Sequence, residues 1–209
     1  MRPLMTIGVA LVLALATAGS SHANLLTNGN AETGDLTGWV DPLAHGFNIG
    51  YLAILPAHPP VEGTYVFWAG VTGPANGAWS NEIRQDVDVS GYASAIDGGT
   101  ATGEFDGWGR SAEAGGSHDD ATIIVEYRDA GQNLLGAFNT GVILPFNTWV
   151  HVIDLRPIPI GTRSIRVRLT GVRSVGASTE AIFDALSLTV NVTVPVDQTT
   201  WGSVKALYR

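Results

Sequence analysis

The chain has 209 residues, no cysteine and a formal net charge of −8 at pH 7. The lack of cysteine excludes disulfides, thiolate metal sites and thiol nucleophiles. Lys205 is the only lysine, and an acidic surface with so few cations repels nucleic acid and anionic lipid. Only 14% of the residues are charged and 26 are glycine, a composition typical of a β-sandwich with many tight turns.

The first 23 residues predict a secretory signal peptide. Arg2 supplies a minimal positive start, residues 5–18 are apolar and uncharged, and Ser21-His22-Ala23 places small residues where a signal peptidase reads them. The apolar stretch is too short and wrongly flanked for a stable membrane span. We therefore expect a secreted protein, extracellular or at the cell surface, with no membrane span.

Strand-like runs follow in chain order, separated by Gly, Pro, Asn and Asp. They cover residues 47–55, 64–69, 82–89, 101–108, 121–127, 149–155, 164–170 and 182–190. In the run 164–170, Ile165, Val167 and Leu169 face one way while Arg166 and Arg168 face the other, the pattern of a strand with one wet side. Because no stretch holds a helical period over a dozen residues, we expect one all-β antiparallel domain over residues 24–190.

Two phrases bracket these runs: residues 24–32 (Asn-Leu-Leu-Thr-Asn-Gly-Asn-Ala-Glu) and 181–189 (Ala-Ile-Phe-Asp-Ala-Leu-Ser-Leu-Thr). They resemble the first and last strands of jelly-roll carbohydrate-binding modules and related galactose-binding-like domains of secreted bacterial proteins. More distantly, the arrangement is similar to the F-box-associated glycan-binding domain. The resemblance implies an antiparallel jelly-roll β-sandwich of the galactose-binding-like type. It implies a ligand less firmly, because this fold hosts lectins, adhesins and spacers.

The same resemblance implies a structural calcium ion where the first and last strands meet. Glu32 and Asp184 fall at the two matching positions, with the Asn30 carbonyl nearby. Calcium takes several oxygen ligands from carboxylates and carbonyls, so the two carboxylates should lie within about 5 Å of each other. The alternative is that Glu32 caps a turn and Asp184 accepts backbone hydrogen bonds.

Aromatic side chains are the candidates for ligand contact, because flat rings stack on the apolar faces of sugars while a few polar groups fix orientation. Trp79 follows a segment rich in Gly, Pro and Asn, and Trp108 lies between Gly107 and Gly109, with Arg110 beside it. We predict Trp79, Trp108 and Arg110 as ligand-binding residues; the alternative is that the rings pack in the core or against loops. Three other tryptophans lie in apolar strand contexts and are expected in the core: Trp39, Trp68 and Trp149.

No catalytic site is predicted. The histidines form no helical metal motif, and no Gly-x-Ser-x-Gly elbow is present. The run 118–120 (His-Asp-Asp) offers metal-binding side chains, but a solvated turn is the favoured interpretation. Glu104 and Asp106 are expected on one strand face, where they resemble the carboxyl pair of a glycosidase, but spacing in sequence does not show the separation that such a pair needs. Four arginines near one hairpin are expected to pair with cross-strand carboxylates, with a sulfated or uronic-acid glycan as the alternative: Arg163, Arg166, Arg168 and Arg173.

The sequence thus predicts a secreted, non-catalytic carbohydrate-binding protein. The alternative is a structural or adhesive cell-surface protein without sugar affinity. Residues 191–209 form a tail that ends in a Trp-Gly…Lys…Tyr-Arg pattern, similar to the ends of other secreted bacterial proteins. That similarity implies a segment read by secretion or surface-attachment machinery; the alternative is a frayed terminus.

Overall fold

The computed structural model describes residues 23–51, 59–70 and 79–193. The predicted signal peptide up to residue 22 and the predicted tail from residue 194 lie outside these ranges. No helix within them is long and apolar enough to span a membrane. The strands are β1 (Asn48–Tyr51), β2 (Tyr65–Trp68), β3 (Trp79–Asp88), β4 (Ala101–Arg110), β5 (Ala112–Ala114), β6 (Ser117–Arg128), β7 (Leu134–Asn139), β8 (Val150–Pro157), β9 (Ser164–Arg173) and β10 (Ile182–Val192). A 3₁₀ turn (Ser90–Tyr92) and one short helix, α1 (Ala93–Asp97), follow β3.

The strands form two antiparallel sheets that pack face to face. Sheet I has the order β1-β2-β10-β4-β8, and Sheet II has the order β3-β9-β6-β5, with β7 also paired to β6. This architecture confirms the predicted all-β antiparallel sandwich. β10, the last strand in the chain, lies between β2 and β4 at the centre of Sheet I, so strands that are distant in sequence are neighbours in this sheet.

Period-two alternation places the core between the sheets. In β9, Ile165, Val167 and Leu169 are fully buried, whereas Arg166 and Arg168 lie on the outer face of Sheet II. Phe105 of β4 and Phe183 of β10 are buried from the opposite side. Burying each such side chain is worth about 1.5–3 kcal/mol, so the alternation that identifies the strands also supplies the main force that holds the sheets together.

The opening phrase, residues 24–32, is not a regular strand, so the prediction of a first strand there was wrong. Asn28 and Ala31 have φ angles of 51° and 61°, which turn the chain out of an extended conformation. The phrase instead lies along β10, where the Leu186 amide donates to the Gly29 carbonyl (2.9 Å). A Cβ at Gly29 would lie 2.2 Å from the Leu186 carbonyl oxygen, so glycine is required for this close approach. We call residues 24–32 the N-terminal segment; it continues Sheet I where the short β2 ends.

The remaining differences are at strand ends and in short elements. β10 runs to Val192, two residues beyond the predicted end, and Thr193 still donates its amide to the Thr100 carbonyl (3.0 Å). The prediction that β1 extends to residue 55 falls partly outside the described residues, because the described strand ends at Tyr51. The helical residues 90–97 were not predicted, since eight residues are too few to establish a helical period.

Candidate functional site

Strand β4 presents polar and aromatic side chains on the outer face of Sheet I. Its burial alternates, with Phe105 inside and Asp106 and Trp108 outside and partly exposed. Trp108 is therefore part of a strand, and its flanking glycines have a core role. A Cβ at Gly107 would lie 2.6 Å from a Leu186 methyl group and one at Gly109 would lie 2.3 Å from the Ile143 Cδ1 atom. The two glycines are thus needed because core side chains pack closely against β4, while Trp108 between them faces outward. The Gly-Trp-Gly pattern does not indicate a loop.

Trp108, His151 and Asp106 form a partly exposed cluster that we call the Trp108 platform. Trp108 and His151 are cross-strand neighbours on β4 and β8, and their rings stack with centroids 4.5 Å apart and planes inclined by 10°. A hydrogen bond links His151 Nε2 and Asp106 Oδ1 (2.9 Å), with the two side chains 39% and 36% exposed. His151 therefore covers one face of the Trp108 ring, and the platform combines two stacked aromatic rings with a carboxylate at its edge.

A segment that we call the strap, residues 59–63, crosses the outer face of Sheet I beside the platform. At one end the Trp149 indole N–H donates to the Pro59 carbonyl (2.9 Å). At the other end the amides of Val61 and Glu62 donate to Asp184 Oδ2 (2.7 and 3.1 Å). Asp184 is the cross-strand partner of Trp108, so the strap borders the platform.

Asp184 is fully buried and accepts three backbone hydrogen bonds, the third from the Ala185 amide to Oδ1 (2.7 Å). Burial raises the pKa of Asp184 to about 6, although the backbone amides act in the opposite direction. A β-bulge between Asp184 and Ser187, with Ala185 at φ 50°, allows both Asp184 and Ser187 to face outward while Leu186 enters the core. The bulge therefore lies within residues 181–189, the closing sequence on which the family resemblance was based.

The structure brings two of the three predicted calcium residues, Glu32 and Asp184, to the same short stretch of backbone. Glu32 Oε1 accepts from the amides of Thr64 and Tyr65 (both 2.8 Å), next to the amides that bind Asp184. The Asn30 side-chain oxygen lies 3.4 Å from the Glu32 amide. Glu32 and Asp184 therefore hold the two ends of residues 61–65. In the described ranges, no three or more His, Cys, Asp or Glu side chains form a group that could hold a metal ion.

Arg110 lies on the same outer face of β4 as Trp108, but it is buried. Its cross-strand neighbour Ile182 packs with Trp68, and Trp149 packs against that cluster. Burial lowers the pKa of Arg110, while Glu180 raises it. Among the described residues, its Nη1 atom has no hydrogen-bond partner. Arg110 is thus adjacent to the platform and beneath its surface.

Trp79 is placed apart from the other two predicted ligand residues. It begins β3, on Sheet II, where it pairs with Arg173. Its ring packs on His45, with centroids 4.2 Å apart, and is partly exposed. The structure brings Trp108 and Arg110 together and leaves Trp79 on the other sheet, where its contact with a ligand stays a prediction.

The predicted pairing with cross-strand carboxylates is confirmed for Arg166 and Arg168, whereas Arg163 pairs with Asp97 of α1. Arg168 bridges Glu82 and Glu126 across three strands of Sheet II, and the other two pairs are Arg166–Asp86 and Arg163–Asp97. These guanidinium groups are occupied within the protein, so the outer face of Sheet II offers fewer free cations than the sequence pattern indicated.

The other candidates for chemistry are also engaged in local contacts. His118 Nδ1 lies 2.6 Å from Asp120 Oδ1, and Asp119 accepts the Glu180 amide (2.7 Å). Glu104 accepts from the Asn191 side-chain amide (3.2 Å) on the neighbouring strand. Glu104 and Asp106 do share the outer face of β4, as predicted.

Comparison with known proteins places the fold. The chain matches no protein-family model and no curated protein sequence. Its fold is similar to that of a family 61 carbohydrate-binding module, TmCBM61, in complex with β-1,4-galactotriose (TM-score 0.50, 16% identity, 82% of this chain and 99% of that one). It is also similar to a family 16 carbohydrate-binding module (TM-score 0.51, 18% identity, 79% and 99%).

An enzyme shares the fold as well. A cyclase from Fischerella sp. TAU aligns with a TM-score of 0.55 at 13% identity, over 83% of this chain and 100% of that one. The chain therefore has the β-sandwich fold of carbohydrate-binding modules, and that fold occurs with different functions. At these identities the comparison concerns the fold alone.

Sequence reasoning missed His151 as a site residue. The signal was present, because alternation in the run 149–155 places Trp149 and His151 on one face and Val152 on the other. What the sequence does not contain is the pairing of β8 with β4, which alone brings His151 onto Trp108.

Proposed function

We propose that this protein is a secreted, non-catalytic carbohydrate-binding protein whose ligand stacks on the Trp108 platform. The observation that carries the proposal is a partly exposed tryptophan on the outer face of a sheet, in a fold shared with carbohydrate-binding modules. Buried tryptophan needs no ligand to explain it. An aromatic ring that remains partly exposed beside a histidine and a carboxylate offers both the stacking surface and the polar contacts that sugars use.

The proposal of a non-catalytic role rests on the contacts of the acidic residues. Glycosidases flank the scissile bond with two carboxyl groups, one of which must be free to donate a proton. Here Asp106 is hydrogen-bonded to His151 and Glu104 to Asn191, both on a sheet surface. Positions two apart on one strand put both groups on the same side of a ligand, whereas hydrolysis needs groups on either side.

Calcium at Asn30, Glu32 and Asp184 is part of the same proposal. Asp184 is a buried carboxylate without an ion pair among the described residues, and buried charges are usually paired or coordinate metals. Against this, both of its oxygens already accept amide hydrogen bonds, while Glu32 Oε2 accepts none in the described ranges. Bound calcium would supply positive charge at residues 61–65 and so stiffen the strap beside the platform.

Secretion and the function of the tail are also proposals. They rest on the amino-terminal sequence pattern and on the terminal Trp-Gly…Lys…Tyr-Arg pattern. Expression with and without residues 199–209, followed by fractionation of cells and medium, tests the tail: the proposal predicts a change in location with unchanged thermal stability.

A glycan array tests the binding proposal. The wild-type protein should bind at least one class of oligosaccharide, and Trp108→Ala should abolish that binding. Trp108→Phe keeps a flat ring and should retain part of it. Trp79→Ala, on the other sheet, is the matched control for loss of a tryptophan, and melting curves establish that each variant is folded.

Three outcomes would contradict the proposal. Binding to no glycan would favour the structural or adhesive alternative. Binding that survives Trp108→Ala would place the site elsewhere on the molecule. Release of reducing sugar from a bound glycan would contradict the non-catalytic role, since a binding protein leaves its ligand intact.

A further inference from the structure

A polar cavity opens next to the Trp108 platform, on the far side of β10. It has a volume of about 350 Å³ and is lined by the N-terminal segment, the β10 bulge and the strap, including Asn24, Asn28, Asn30, Glu62 and Ser187. Ligand stacking on Trp108 does not require this cavity, and of the residues in the proposed calcium site only Asn30 lines it. Its lining of amide, carboxylate and hydroxyl groups is the kind of surface that binds the hydroxyl groups of a ligand.

Strand register connects the cavity to the platform. Ser187, which lines the cavity, is the cross-strand partner of Asp106, which forms the edge of the platform. Glu62, on the other wall, is held by Asp184, the cross-strand partner of Trp108. The outer face of Sheet I therefore connects Asp106 on β4 to Ser187 on β10 and on to the N-terminal segment, beside the strap that covers Asp184.

The length of this surface follows from the spacing of strands. Three intervals separate β8 from the N-terminal segment, and neighbouring strands lie about 4.8 Å apart, so the surface spans about 14 Å. A single sugar ring stacked on Trp108 would cover only part of that distance. A linear oligosaccharide of about three sugars, roughly one to each interval, would cover all of it.

The cavity also holds polar groups that the fold itself does not use. The Glu62 carboxylate, the Ser187 hydroxyl and the Asn30 side-chain nitrogen make no hydrogen bond within the described ranges. By contrast, Asn24 and Asn28 are committed to the backbone, through the carbonyls of Leu186 and Asp35 (both 2.9 Å). The walls are thus fixed by two asparagines, and three other groups remain available to a ligand.

We propose that this cavity is a second subsite for a linear, neutral oligosaccharide that stacks one sugar on Trp108 and extends across β10 into the cavity. The inference rests on the proposed function and names its ligand class. The neutral class follows from charge. Asp106, Glu62 and Glu104 surround the path, so a uronic acid or sulfate group placed there would meet like charge. The cation nearest the platform along β4, Arg110, is buried beneath the surface.

Titration calorimetry with sugars of increasing length tests the inference. The probes are galacto-, xylo- and cello-oligosaccharides from monosaccharide to pentasaccharide, with oligogalacturonides of the same lengths as the acidic series. For the series that binds, affinity should rise from the monosaccharide to the trisaccharide and then level off. The acidic series should bind more weakly at every length.

Two variants separate the cavity from the platform. Ser187→Ala should weaken trisaccharide binding by about tenfold, the loss of one hydrogen bond, and leave monosaccharide binding unchanged. Asn30→Ala should behave in the same way. Ser80 is an exposed serine on β3 of Sheet II, so Ser80→Ala is the matched control. It should change neither trisaccharide nor monosaccharide binding. Trp108→Ala should weaken binding at every length.

The failures of the two proposals are distinguishable. If no probe of any length binds, the proposed function fails. If Trp108→Ala abolishes binding but affinity is the same for monosaccharide and trisaccharide, or is unchanged in Ser187→Ala and Asn30→Ala, the second subsite is refuted and the platform stands. A preference for the oligogalacturonides would refute the neutral ligand class.

Discussion

Arg168 bridges two glutamates on the outer face of Sheet II. It lies on the central strand β9, with Nε 3.0 Å from Glu82 Oε1 on β3 and Nη1 2.9 Å from Glu126 Oε1 on β6. Both glutamate side chains are largely shielded, at 11% and 8% exposure. Burial alone would raise the pKa of Glu126, but hydrogen bonds from Arg128 and Arg168 outweigh it and lower that pKa. The substitution Arg168→Met keeps the apolar stem and removes the guanidinium group.

The cost of that change can be estimated from the partners left behind. Removing one member of a buried ion pair costs about 3–5 kcal/mol, because a buried charge remains uncompensated. Glu126 keeps Arg128, and Arg168 is itself 29% exposed, so we take the lower limit, about 3 kcal/mol. In a domain of this size about 1 kcal/mol shifts Tm by about 2–4 °C, which gives a fall of roughly 6–12 °C.

Thermal unfolding followed by circular dichroism measures the effect. Arg163→Met is the matched control, because its pair with Asp97 is exposed to solvent and should contribute little. The difference between wild type and Arg168→Met should shrink as the pH falls through the lowered pKa of Glu126. A carboxylate whose pKa is lowered by folding stabilises the folded state at pH values above its unfolded-state pKa, and that stabilisation is lost on acidification. Equal melting temperatures for Arg168→Met and Arg163→Met at pH 7 would refute the reasoning.

Three further predictions concern the strap and the N-terminal segment. Because the pKa of Asp184 is raised in the folded state, its contribution to stability is full below the unfolded-state pKa near 3.8 and is lost as the pH rises through about 6. The difference in unfolding free energy between wild type and Asp184→Asn should therefore fall over that range, and a difference that does not change with pH would contradict this prediction. Calcium should raise Tm relative to a chelator in wild type but not in Glu32→Gln, whereas an equal rise in both would place any ion elsewhere. Gly29→Ala should lower Tm, because its Cβ would meet the Leu186 carbonyl; Gly91→Ala, which has open space, is the control, and equal values for the two would contradict the packing.

Much of the sandwich could be predicted from the sequence because burial alternates along its long strands. β9 and residues 186–190 of β10 each carry a period-two pattern, and the structure places their apolar residues inside as expected. The N-terminal segment could not be predicted in the same way. Its geometry depends on left-handed residues such as Asn28 and on the contact of Gly29 with β10, which only the folded chain brings together.

The candidate site was predicted in part for a similar reason. Trp108 was identified from its glycine neighbours, although those glycines make room for core side chains and do not form a loop. Its partner His151 is 43 residues away, and the cavity at Ser187 depends on a bulge in β10. Residues that share a strand can be grouped from sequence, but residues that meet across strands require the order of the sheet, which a single sequence does not specify.

The central claim is that sugar binds on the outer face of Sheet I, at Trp108. Nuclear magnetic resonance of the tryptophan indole N–H groups, during titration with an oligosaccharide identified on the array, tests it most directly. The largest change should occur at the Trp108 indole, with amide changes at His151 and Ser187, while Trp79 on Sheet II stays unchanged. A change at Trp79 with Trp108 unaffected, or amide changes confined to Sheet II, would contradict the account.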